Sequence, residues 1–104
     1  MVKVSVMYPN TAGARFDHEY YRNRHIPLVK AMLAERCLRY TVDKGLHGGT
    51  PGASAPYVAM CHVFCDSEQA FQEGMALHGK EIYADIANFT DLVPVVQISE
   101  VVVG

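Results

Sequence analysis

The chain contains no apolar run approaching the roughly 18 to 20 residues needed to cross a bilayer. A membrane partner is therefore not expected, and the cytoplasm is the expected location. Charge of one sign is equally scarce. Nine Lys and Arg face 11 Asp and Glu, a formal net charge of -2 with no basic stripe or acidic tail, so nucleic acid is not an expected partner. Cysteine is limited to Cys37, Cys61 and Cys65, an odd set too small for a disulfide framework. On one extended strand Cys61 and Cys65 would stand about 13 Å apart, beyond bonding reach, so reduced thiols are expected.

The familiar catalytic signatures are missing as well. There is no GxGxxG dinucleotide pattern and no GxxxxGK[ST] phosphate loop, and the glycines at 48, 49 and 52 lack the lysine such a loop requires. No GxSxG elbow is present, and Ser5, Ser54, Ser67 and Ser99 have no recognisable triad context. Neither HExxH nor a paired-cysteine zinc pattern occurs. His18 and His25 lie seven residues apart, roughly 10 Å along a helix, which is too far to share one ion. No metal site and no cofactor is expected; no haem ligand is identifiable, and haem is left open.

What is present suffices for a folded core. The 104 residues are 50% hydrophobic and 19% charged, which fits one domain spanning 1–104 and argues against disorder. Val2 to Tyr8 alternates as a strand, with Val2, Val4, Val6 and Tyr8 opposed to Lys3, Ser5 and Met7. Pro9, Asn10 and Gly13 break it, and Asp17 is placed to cap a helix. Along that helix Tyr21, His25, Leu28 and Met32 share one face, while Pro27 predicts a break or kink around His25 and Ile26. CLRYTVDKG reads as a second strand and YVAMCHVFC as a third, joined by a Gly/Pro-rich connection. Asp66 or Ser67 can cap a second helix carrying Phe71, Met75, His78, Ile82 and Ile86, with a bend expected near Gly79. LVPVVQISEVVV closes the chain as a strand with Pro94 near its start.

The order β-α-β-β-α-β predicts an α+β fold with a four-stranded antiparallel sheet and both helices on one side. Apolar residues on both strand faces, with Val2, Val4 and Val6 opposing Met7 and Val63 opposing Val58, Met60 and Phe64, then call for a second layer. A second copy packed face to face is the expected cover, making a homodimer, and a bulky ligand is an alternative filling for part of the gap.

YPN…FDHEYYRNRHIPL, followed by LRYTVDKG, a Gly/Pro-rich connection and PVVQISEV, resembles the EthD-like family of the dimeric α+β barrel superfamily. Phe16, Asp17, Tyr20, Tyr21, His25, Pro27 and Leu28 carry most of the likeness. The resemblance implies a ferredoxin-like subunit forming a dimeric α+β barrel. It also implies that His25 corresponds to the recurrent histidine of a first-helix HxP element, a candidate acid/base, and that Tyr40 occupies a region where isomerase-like relatives place a tyrosine. Relatives of this type include methylmuconolactone isomerases and small decarboxylases or cyclases.

Histidine suits proton transfer because its ordinary pKa lies near 6.5 and its neutral form accepts a proton. His25 on an apolar helix face admits two readings, a satisfied structural histidine or pocket chemistry. Tyr40 can orient a substrate oxygen or simply pack at an interface. Tyr8 and Tyr21 offer aromatic walls, Tyr57 a donor near the Gly/Pro-rich connection, and His62 and His78 further ligand-facing groups; packing is the plainer use of the three tyrosines and His62, and solvent exposure or capping that of His78. The function expected is binding of a small hydrophobic or aromatic catabolite, with cofactor-independent isomerisation or a related proton transfer through His25 and Tyr40. The alternative is a non-catalytic carrier, or an accessory protein that meets a partner in an oxidative degradation pathway.

Overall fold

The computed structural model describes residues 1–104. The chain enters β1 (Val2–Pro9) at once, and the next helical stretch begins where Asp17 accepts a hydrogen bond from the Tyr20 N–H at 3.0 Å. That stretch is built in pieces: α1 (His18–Tyr20), a π-helical turn (Tyr21–His25), α2 (Ile26–Leu33) and a 3-10 turn (Ala34–Arg36). Pro27 does not break it. The backbone stays right-handed helical from Tyr20 through Ile26, and the Ile26 N–H reaches back to the Tyr21 carbonyl. Widening the turn relieves the crowding that a proline ring imposes on the preceding carbonyls, which explains why the irregularity sits just before Pro27.

β2 (Arg39–Lys44) and β3 (Tyr57–Cys65) follow, then α3 (Glu68–Ile86), whose first turn is capped by Ser67 Oγ accepting from the Ala70 N–H. α3 runs unbroken through Gly79, where a bend was expected. Pro94 stands immediately before β4 (Val95–Glu100), where its missing donor costs no ladder bond. The sheet order is β2-β3-β1-β4, with every neighbouring pair antiparallel. This is the ferredoxin-like β-α-β-β-α-β arrangement.

The sheet is open, and this corrects the expected barrel. β2 and β4 are its two edges, with no hydrogen bonding between them. The physical reason is strand number: about eight strands are needed to close a sheet whose interior is just filled by side chains, and this chain supplies four.

On the helix side, Val4, Tyr8, Ala59, Cys61, Val63 and Cys65 pack against Tyr21, Ile26, Leu33 and Phe89 to form the core. The cross-strand register places the rows Lys3–Phe64–Arg39, Ser5–His62–Thr41 and Met7–Met60–Asp43 on the opposite face. That face is mixed rather than chiefly apolar, with the Arg39 guanidinium 3.9 Å over the Phe64 ring. Only 18 of 104 residues are buried, and the surplus of exposed apolar side chains gathers instead on and around β4, at Val93, Val95, Val96, Ile98, Val102 and Val103.

Candidate functional site

The π-turn carries the candidate site. It begins at Tyr21 and ends at His25, both buried and both lining one cavity between the helices and the sheet. The imidazole and the Tyr21 ring lie nearly parallel, 15° apart with centroids at 5.8 Å, and Phe89 closes on the imidazole at 4.6 Å. His25 Nδ1 lies 2.8 Å from Asp85 Oδ2. The other oxygen of Asp85 accepts from the Tyr20 hydroxyl at 2.7 Å and from Asn88 Nδ2 at 2.9 Å.

These contacts fix the charge states. Burial by itself pushes the Asp85 carboxyl up, but the hydrogen bonds from Tyr20, Asn88 and His25 outweigh it and hold the group below the usual aspartate value. Burial pushes His25 below its ordinary value, with Asp85 pulling in the opposite direction. At neutral pH the pair is thus a carboxylate facing a neutral imidazole. An ionised carboxylate can only accept, so Nδ1 carries the proton and Nε2 is the free, basic nitrogen.

His25 lines a cavity of about 60 Å³ between the helices and the sheet. Fifteen of the 17 lining residues are hydrophobic, and the other two are His25 and Pro94, so no Lys, Arg, Asp or Glu borders the space. Tyr8 and Tyr21 line it as well, while Tyr83 and Val96 combine lining with solvent exposure and form its mouth. The Cys61 thiol is pushed by burial up to about 12, so it remains protonated and is a poor nucleophile.

The structure brings together His25, Tyr8 and Tyr21 and leaves the other sequence candidates elsewhere. Tyr40 lies on edge strand β2, exposed and outside the cavity lining. Tyr57 opens β3 opposite Pro9, and His78 is half-buried on α3; neither lines the cavity. His62 stands across the sheet, where Nδ1 is 2.8 Å from Ser5 Oγ and Nε2 is 3.4 Å from Asp43 Oδ2.

Asp85, Tyr20 and Asn88 are the hydrogen-bonded neighbours of the candidate site that motif reading passes over, since Asp85 four residues after Glu81 looks like an exposed helix charge. A signal did exist. Phe71, Met75, His78, Ile82, Asp85 and Phe89 recur at spacings of four, three, four, three and four, which puts Asp85 on the buried stripe of α3.

A family model described as the EthD domain matches residues 11–92. The chain belongs to the EthD family. A crystal structure of an EthD-like protein from Ralstonia eutropha JMP134 is 59% identical, with a TM-score of 0.95 over 98% of this chain and 92% of that one. An ethyl tert-butyl ether D (EthD) family protein from Bacillus halodurans C-125 gives 23% identity and a TM-score of 0.73 over 96% of this chain and 97% of that one. A protein from Arabidopsis thaliana shares the fold at 15% identity, with a TM-score of 0.68 over 96% and 94% of the two chains. A search of curated proteins returned no match. EthD membership covers the π-turn and Asp85, both inside the matched residues.

Proposed function

We propose that this EthD-family chain binds a small apolar molecule in the helix-side cavity and moves a proton on it through His25. The observation that carries the reading is the 2.8 Å contact between His25 Nδ1 and Asp85, which leaves Nε2 as a base in an otherwise apolar space. Nε2 removes a proton from a carbon next to a carbonyl; the C–H electron pair becomes part of an enolate, with the charge on its oxygen. The same nitrogen returns the proton to another carbon of the delocalised system, giving an isomer with no co-reactant. Asp85 offsets the charge that His25 gains in between. Tyr8 supplies a wall of the chamber, and Tyr40, outside it, has no part in this step.

At about 60 Å³ the cavity is well below the roughly 300 Å³ or more of many ligand sites. The ligand is therefore small, or extends outward between Tyr83 and Val96. The chain is proposed to work in the cytoplasm as one domain and as a homodimer. Support for the dimer is the exposed apolar edge at β4 and the residues after it, a surface type that proteins ordinarily cover.

The test is α-hydrogen exchange in D₂O, followed by NMR on a panel of small ketones, enones and carboxylic acids. Saturable exchange that falls on the order of 100-fold in His25→Gln supports the reading. Equal rates in the two proteins sink the acid/base assignment, and saturable binding with exchange at the buffer rate points to a carrier.

A further inference from the structure

Tyr21 is 1% exposed and lines the cavity, yet its hydroxyl has no hydrogen-bond partner, and no other buried side-chain oxygen or nitrogen in the chain is left so. The Cys61 sulfur lies close enough to take a weak hydrogen bond from it but falls short of good geometry, and a protonated thiol is a poor acceptor for a buried phenol in any case. Buried hydroxyls are nearly always satisfied, so one without a good partner, on a side chain that lines a cavity, needs an explanation. A phenylalanine would fill the same volume without the penalty.

Resting on the proton-transfer reading above, we infer that the Tyr21 hydroxyl anchors the ligand's oxygen and that the cavity selects an uncharged carbonyl compound, a small ketone or enone, over a carboxylate. The Tyr21 phenol is held above its ordinary value by burial, so it stays a donor throughout the working pH range and calls for an acceptor on the ligand. Its ring and that of His25 are the two ends of one π-turn, nearly parallel and 5.8 Å apart. Both residues line the same cavity, so one small molecule held there is inferred to meet the donor at one atom and the base at a neighbouring one.

Charge decides the class. A carboxylate would enter a space bordered by no Lys or Arg, with the ionised Asp85 behind His25. Its desolvation would go uncompensated. A ketone brings no charge in the ground state. Its oxygen becomes negative only as His25 takes the proton, and the hydrogen bond from Tyr21 strengthens at that moment; an interaction of that timing speeds the chemical step rather than merely tightening binding.

The experiment uses the full chain and three probes of similar shape: cyclopentanone, methylenecyclopentane and cyclopentanecarboxylate. Binding is followed by NMR titration and exchange by deuterium uptake, in wild type, Tyr21→Phe and His25→Gln. Expected are saturable cyclopentanone binding, a loss of about tenfold in Tyr21→Phe, methylenecyclopentane affinity indifferent to that change, and carboxylate affinity lower than that of the ketone by on the order of 100-fold. Tyr21→Phe, relieved of an orphan hydroxyl, is expected to melt at or above the wild-type temperature, which separates lost anchoring from lost folding. Carboxylate binding as tight as the ketone, or ketone binding unchanged in Tyr21→Phe, overturns the inference. Exchange that needs His25 but not Tyr21 overturns the anchor and leaves the proton-transfer reading standing; exchange that needs neither overturns both.

Discussion

At the scale of single residues, the proposed chemistry rests on which partner of the His25–Asp85 pair holds the proton. Asp85 raises the basicity of His25 against the opposing effect of burial. Asp85→Asn is expected to lower the His25 titration midpoint, read from its ring carbon resonances, and to cut exchange by about 100-fold or more. The same pair links stability to acid. His25 binds its proton less readily in the fold than at its ordinary 6.5, so as pH falls below that value the unfolded chain takes up the proton first and the fold loses stability until the depressed folded value is passed. Asp85, also depressed, contributes stability above its ordinary value of 3.8 and loses it as pH falls through the lower folded value. Urea midpoints measured between neutrality and pH 5 are expected to decline, and His25→Gln to flatten that decline. His25 was legible from its place on an apolar helix face. Its carboxylate partner was not, because Asp85 lies 60 residues away and nothing local marks it beyond its position on the α3 stripe.

Elements were easier to read than their irregularities. Asp17, Ser67 and Pro94 mark element ends through local hydrogen-bonding rules, and all three act as their residue types dictate. The π-turn is different, since a kink, a break and a widened turn all relieve the crowding from Pro27 and only packing chooses among them. Gly79 shows the same limit: an isolated glycine suggests a bend, but α3 runs straight through it. The two glycines of α3 separate by their surroundings. A methyl group added at Gly74 would come within 2.6 Å of Leu33 Cδ2 and 3.1 Å of Arg36 Cδ, so the fully buried Leu33 has to leave its packed position. At Gly79 the nearest atom is Met75 Cε at 3.4 Å, an ordinary contact with a flexible side chain. Thermal melts are expected to show Gly74→Ala destabilised by about 1–2 kcal/mol despite its better helix propensity, and Gly79→Ala stabilised by about 0.5–1 kcal/mol.

For the whole molecule, alternation in the strands correctly predicted one sheet with its helices on one side, because a period of two is a local property that survives into the fold. It misjudged the uncovered face. Lys3, Ser5, His62 and Asp43 interrupt the apolar positions there, and strand faces read one at a time do not reveal which rows align across the sheet. The unmet apolar surface lies along β4 instead. If a second copy covers it, light scattering is expected to give a dimer mass for wild type and a monomer mass for the double substitution Val95→Lys, Val103→Lys; a wild-type monomer at high concentration ends the dimer proposal. Val4, Tyr8, Tyr21, Ile26, Leu33, Cys61 and Val63 belong both to the core and to the wall of the cavity, so any guest in the chamber would pack against the same side chains that keep the chain folded. If the proposed ligand binds there, resistance to protease is expected to rise with its concentration, because occupied copies open less often than vacant ones.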